Sequence, residues 1–324
     1  MDLVRSTLAL ALLLPLAAGC GDEGAPAKGP RGQAASAPEP IPDGLRTEYW
    51  DVARTKKKAE GQMKGGKQEG DWLSWHENGQ VAIQGRFEGG LPTGVWLEFH
   101  PDGAKKSEKG WKAGVAHGPV LEWYEDGKPK VEARFEDGKP VGKLLEWHAT
   151  GAKAREGEHA AGLMEGPWTS WHPNGRKSSE GEYRAGKQAG PWKSWYPNGT
   201  PEKQGAFVDG VNDGEWTRWH ENGSLAVQIT FARGVQHGEA KAWWPNGKLQ
   251  SAGSFTDGKR SGEWRVWKED GTLDPVESGM YEGDRKVAEL PATGAPPVDV
   301  PSTDVPKADA PKADEPKAGG GGGA

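Results

Sequence analysis

Nine aromatic side chains stand at a fixed interval of 24 residues: Trp75, Phe99, Trp123, Trp147, Trp171, Trp195, Trp219, Trp243 and Trp267. On every second strand of a sheet such a row is spaced about 9–10 Å, a ladder on which sugar rings or a peptide could stack. Histidine often follows the ring, at His76, His100, His148, His172 and His220. Imidazoles about 9–10 Å apart cannot share one zinc ion, whose ligand atoms sit about 3–4 Å from each other. Tyr124, Tyr196, Trp244 and Lys268 fill the same slot elsewhere, so it asks for bulk and a polar tip; no metal or other cofactor is expected. Carboxylates are spread one or two per copy without a unique pair, and no nucleophile elbow or P-loop occurs. Chemistry repeated nine times suits a surface better than one active site, so the chain is expected not to be an enzyme.

The one residue with nucleophilic chemistry is Cys20, the only cysteine in the chain. It follows an apolar run from Leu8 to Ala18, interrupted by Pro15, the length of a signal-peptide core and too short to span a bilayer. Leu16-Ala17-Ala18-Gly19-Cys20 resembles a bacterial lipobox, in which small residues precede a thiol that receives diacylglycerol. Ala17 stands where leucine is usual, and Arg5 is the only basic residue ahead of the run. An ordinary cleaved secretory signal with an incidental cysteine is the alternative. The expectation is lipidation at Cys20 and attachment to membrane in the bacterial cell envelope. Gly21, in place of aspartate, favours the outer membrane.

Composition excludes a large aliphatic core: 34% of residues are hydrophobic, while 50 Gly and 25 Pro accompany 17 Trp. Many glycines with many tryptophans fit short strands and tight turns rather than disorder, which is poor in aromatics. The net charge is −6; segments 21–45 and 291–324 carry −2 each, leaving a nearly neutral body over 46–290 with −2. That lacks the basic footprint of a nucleic-acid binder. Segment 20–45 reads as a flexible tether, and 291–324, a Pro/Ala/Lys/Asp repeat ending in glycines, as a disordered tail. Leu290-Pro291-Ala292-Thr293-Gly294 spells a sortase-type signal without the apolar span that signal requires, and is read as coincidence.

The elements that position the aromatic row follow from the glycines. Gly70 and its equivalents recur every 24 residues through Gly262, a second glycine follows nine residues later (Gly79 through Gly271), and a third twenty later (Gly90 through Gly258). With the opening glycine as position 0, Trp occupies position 2 in Trp72, Trp96, Trp168, Trp192, Trp216 and Trp264, and a ring usually returns at position 17, as in Phe87 and Tyr183. Asn-Gly before the second strand, as in Asn78-Gly79 and Asn174-Gly175, predicts a two-residue type I′ hairpin turn in each unit. Gly186-Lys187-Gln188-Ala189-Gly190 is read as the link to the next unit. Positions summing to seventeen then lie opposite each other, so Trp72 faces Gly85 and Phe87 faces Gly70, ring over bare backbone. Without a bulge, position 5 points to the other side, opposite Ala82, Lys106, Lys130, Ala154, Ser178 and Ala226, with Glu108, Glu132, Glu156 and Glu180 nearby. A bulge would send both rings to the core, and packing on neighbouring strands would bury the row. The organisation is thus signal 1–19, tether 20–45, a degenerate capping half-unit 46–69 around Tyr49-Trp50 and Met63, nine hairpins over 70–290, displaced in the last copy at Tyr281 and Gly283, and tail 291–324. The fold class is all-β, an elongated antiparallel array.

Trp171-His172-Pro173-Asn174-Gly175, then Tyr183-Arg184-Ala185-Gly186 and Gly190-Pro191-Trp192, resemble the bacterial variant of the MORN repeat over about 70–285. The resemblance implies an antiparallel β-repeat array with a scaffolding or binding role; some bacterial members are labelled antitoxin-like. The partner expected is another protein held on the repeat surface, with cell-wall glycan on the Trp ladder, or neutralisation of a toxin-like protein, as alternatives.

Overall fold

The computed structural model describes residues 42–290, so Cys20, segment 1–19, most of the tether and the tail 291–324 lie outside the described residues. No helix occurs among the described residues. They form one antiparallel sheet of 21 strands in which each strand pairs with those before and after it in sequence. The array opens with β1 (Gly44–Tyr49), β2 (Lys57–Lys64), β3 (Lys67–Trp75) and β4 (Val81–Glu88). The β3–β4 pattern then repeats through Leu249–Thr256, and the last three strands are Lys259–Val266, Gly279–Glu282 and Arg285–Ala288. The segment read as a degenerate half-unit is a complete hairpin, β1 on β2, paired from Gly44↔Met63 to Tyr49↔Lys57.

The two kinds of turn are the reverse of the sequence expectation. In the Asn-Gly loop only the glycine has positive φ (Gly79, 87°). Gly79 N–H donates to His76 O (2.9 Å) and His76 N–H to Gln80 O (2.8 Å), a three-residue loop made of a type I turn and a left-handed glycine. Asn78 has the negative φ of a type I turn, and its side chain ties the loop: Oδ1 accepts from Gln80 N–H (3.0 Å) and Nδ2 donates to Pro101 O of the next unit (2.6 Å). The I′ geometry appears between units instead. Ala185 (49°) and Gly186 (78°) both have positive φ, and they join strands that close at Arg184↔Lys187.

Register nevertheless falls where the sequence places it: Trp72↔Gly85 and Gly70↔Phe87. The longer loop sets Trp75 opposite Val81, and a bulge between Ser74 and Trp75 then restores the seventeen-sum from Ser74↔Ile83 onward. The neighbours of the position-5 row are therefore at position 11 and not at position 12. Opening glycines also serve a purpose other than lying beneath a ring. A Cβ at Gly70 or Gly94 would meet nothing within 4 Å, but both have positive φ (70° and 68°). They stand where their own strand bulges against the preceding one, as between Gln84↔Leu97 and Arg86↔Thr93, a conformation that glycine adopts without steric cost.

Side chains alternate across the strands, and both faces bury apolar groups. On the first face, positions 2 and 17 stack edge to face: Phe87 on Trp96 (4.9 Å), Tyr183 on Trp192 (5.2 Å) and Phe207 on Trp216 (4.9 Å). The second face holds a separate cluster of Trp243, Leu249 and Trp267. In the last unit two extra residues shift the pairing to Gly262↔Tyr281. The unit stays closed: the Ser278 hydroxyl accepts from Val266 N–H (2.9 Å) and donates to Val266 O (3.2 Å), and Arg260 covers the Tyr281 ring at 4.1 Å.

Backbone conformation yields a paired prediction. Gly175→Val, at a φ of 81°, should lower stability by at least about 1–2 kcal/mol. Arg233→Asn, at a φ of 50°, should raise it by about 0.5 kcal/mol, because asparagine tolerates this region better. Urea midpoints moving in opposite directions would bear out these assignments; an unchanged midpoint for Gly175→Val would contradict them.

Candidate functional site

None of the nine position-5 rings is freely exposed, and the row changes character along the array. Trp75, Phe99, Trp123, Trp147 and Trp171 are half-buried, whereas Trp195, Trp219, Trp243 and Trp267 are buried, Trp267 to 1% exposure. Position 11 of the preceding unit packs against six of the rings. Where it is lysine the ammonium sits above the indole: Lys57 over Trp75 (5.7 Å), Lys105 over Trp123 (5.3 Å), Lys153 over Trp171 (5.8 Å) and Lys177 over Trp195 (5.7 Å). Each of these lysines also pairs with the glutamate three residues on, Glu60, Glu108, Glu156 or Glu180, at 2.6–3.2 Å. Further along, Leu225, Leu249 and Leu273 close apolar packing around Trp243 and Trp267.

Beside the ring row on the same face runs a file of positions 3 and 14. Cross-strand register orders it as Glu60, Leu73, Gln84, Leu97, Glu108, Leu121, Glu132, Leu145 and Glu156. From Thr169 onward the leucines give way to Lys193, Thr217, Lys241 and Arg265. Leu73 is 39% exposed, and Leu97, Leu121 and Leu145 are half-buried. The N-terminal part of this face thus offers apolar rings and leucines between carboxylates, and the C-terminal part does not.

The histidine slot has a structural purpose. His76, His148, His172 and His220 each place Nε2 2.7–2.9 Å from the main-chain oxygen of the next unit's position-5 residue. Tyr124 and Tyr196 hydroxyls (2.7 and 2.9 Å) and the Trp244 indole (3.1 Å) donate to the equivalent oxygens. With the acceptor a carbonyl, the imidazoles carry their proton on Nε2. His100 is the exception, its Nε2 buried without a partner. Among the described residues no three His, Cys, Asp or Glu side chains converge on a common point.

The first face carries charge where its aromatic column is interrupted. Glu122 lies 3.1 Å from Lys109 and 3.3 Å from Lys130, and Glu146 lies 3.0 Å from Arg155. Burial by itself would raise the Glu122 carboxyl, but the two lysines outweigh it and hold the pKa below its ordinary value. Burial, then the Arg155 charge, depress the pKa of His159, which packs edge-on against Trp168 at 5.2 Å.

Six segments of the chain, 68–88, 116–137, 164–185, 188–209, 212–232 and 236–257, match the family described as MORN repeat variant. Each match coincides with one hairpin, from its first strand to the end of its second. These are MORN-variant repeats. No curated protein matches the chain. Among solved structures, the crystal structures of TcdB2-TccC3 and of TcdB2-TccC3-Cdc42 each align with 71% of this chain and 14% of theirs, at 10% identity and a TM-score of 0.17. The chain thus spans a small part of the length of those proteins.

Within the MORN-variant units, sequence reasoning passed over the position-11 lysines and the position-3 leucines. The leucines recur every 24 residues, at Leu73, Leu97, Leu121 and Leu145, and the lysines at every second unit, at Lys57, Lys105 and Lys153. The shift that brings position 11 over the ring depends on the bulge, which the alternation pattern does not contain.

Two predictions follow from the polar contacts. His172→Phe should cost about 1 kcal/mol, the net worth of a neutral hydrogen bond, by removing the donor to Trp195 O; a thermal melt unchanged from wild type would count against the staple. Because the Glu122 pKa is lowered in the fold, its contribution is present above the ordinary carboxylate range and is lost as pH falls through the lowered value. Amide protection should therefore fall over 105–131, after correction for the intrinsic rate, as pH drops below the ordinary carboxylate range, and Glu122→Gln should reproduce that local loss at neutral pH. Identical exchange in the wild type and Glu122→Gln would remove the ion network from the account.

Proposed function

We propose that this MORN-variant array is a non-catalytic protein-binding scaffold that acts through the N-terminal half of its second face. The observation that carries the reading is the contrast within a single periodic row. The same ring is buried from Trp195 onward, with leucines packed around Trp243 and Trp267, and left half-buried beside Leu73, Leu97, Leu121 and Leu145 in the N-terminal units. Leaving apolar groups accessible forfeits burial that the array achieves elsewhere, as a surface reserved for a partner would. Glu60, Gln84, Glu108, Glu132 and Glu156 on alternate strands supply hydrogen-bond acceptors between the apolar anchors. Sugar stacking is less favoured, because ring faces at Trp75, Trp123 and Trp171 are already occupied by lysine. The scaffold would be held at the bacterial envelope by lipid on Cys20, with the outer membrane favoured.

Crosslinking in intact cells tests the surface. Leu97→Glu combined with Leu121→Glu should abolish the crosslinked species seen with wild type, while Lys203→Glu on the opposite face should leave it unchanged. Retention by the leucine variant would place the contact elsewhere. The anchor has its own test: a fatty-acid probe should label the wild type and not Cys20→Ser, and equal labelling would remove lipid attachment from the reading.

A further inference from the structure

On the face opposite the proposed contact surface, we infer that the joints between consecutive units are keyed, so that a tryptophan at position 2 can follow only a unit with glycine at position 15. The indole does not lie on the glycine of its own unit. A Cβ placed on Gly85 would come closer than 3.0 Å to ring atoms of Trp96, and one on Gly181 would do so with Trp192. The same holds for Gly61 and Trp72, Gly157 and Trp168, Gly205 and Trp216, and Gly253 and Trp264. A side chain at any of these glycines would occupy the volume of the next unit's ring. The indole is also oriented: Nε1–H of Trp192 donates to Glu182 O (3.1 Å), of Trp216 to Ala206 O (3.1 Å) and of Trp264 to Ser254 O (2.8 Å). In each case the acceptor belongs to the residue just after the covered glycine.

The remaining joints lack both halves of the key. Lys109 precedes Val120, Ala133 precedes Leu144, and Ile229 precedes Ala240. There the position-15 side chain takes the room the indole would need, and Lys109 uses it to reach Glu122 at 3.1 Å. No joint is mixed. Within a unit, by contrast, the match fails: Trp96 shares its unit with Lys109, Trp216 with Ile229, Leu144 with Gly157 and Ala240 with Gly253. The glycine therefore answers to the unit that follows it, and the order of units is constrained by this face alone.

Two deletions of equal length separate keyed from mismatched joints. Removing residues 166–189 brings Gly157 beneath Trp192 and preserves the key. Removing residues 142–165 brings Ala133 beneath Trp168 and breaks it. By hydrogen exchange, the first variant should keep protection across the new joint. The second should lose it over 129–136 and 166–171, with exchange roughly tenfold or more faster, and Ala133→Gly in that background should restore it. Equal protection in the two deletions, or a loss that Ala133→Gly does not repair, would overturn the inference. A cycle in the intact chain guards against a deletion that fails for other reasons. Gly181→Ala should lower Tm clearly in wild type and little in a Trp192→Ala background, and additive losses would also overturn it.

Discussion

An indole laid flat on the bare backbone of the preceding hairpin is the contact on which the rest of this molecule depends. A lone hairpin is marginal in water and has no second layer against which to bury a ring. Here the second surface is supplied by the neighbour along the chain, which makes stability a property of joints rather than of units. It also explains the invariance of the 24-residue period. A slip of one residue would turn every ring to the opposite face and replace each covered glycine by a side chain, so insertions are tolerated only beyond the last ordinary joint, where Ser278 closes the gap.

Along both edges, turns of successive units are tied together. On one edge the imidazole, phenol or indole after the position-5 ring donates to the next unit, and the loop asparagine adds a second bond, as from Asn174 to Pro197 O (2.7 Å) and from Asn222 to Pro245 O (2.8 Å). On the other edge the turn glycine donates to the unit before it, as from Gly186 to Met164 O (2.9 Å). Each such bond contributes about 0.5–1.5 kcal/mol net, and repetition gives each joint several. Asp102 and Asp126 stand where asparagine would donate and can only accept. The joints after those aspartates also lack ring-on-glycine contact: Lys109 reaches Glu122 across the first, and Ala133 precedes Leu144 across the second.

On the proposed reading, folding and recognition fall to different faces. The first face is committed to joints, with little freedom at positions 2, 15 and 17. Positions 3, 11 and 14 of the second face carry no such restriction, and they are where the array differs from end to end. Leucine gives way to lysine and arginine in one file as lysine gives way to leucine over the ring row. A single sheet can therefore keep its register while altering its surface chemistry over half its length.

Much of this was legible in the sequence. The glycine and tryptophan spacing determined the all-β class, the hairpin unit and the pairing of Trp72 with Gly85, because period-2 alternation and turn chemistry are local properties of the chain. The register came out right although the turn did not: a three-residue loop and a one-residue bulge offset each other at Ser74 and Trp75. Tertiary structure alone decided which unit's ring covers which glycine. Alternation names the face a side chain is on, but the direction in which a long ring leans depends on the adjacent strand and its bulge. For the same reason the sequence left open whether the position-5 rings form an open ladder or pack on neighbouring strands; in the sheet a lysine stands above Trp75 and an apolar seal surrounds Trp267. The rings were in the sequence; the atoms above them were set by strand neighbours that only the folded sheet brings together.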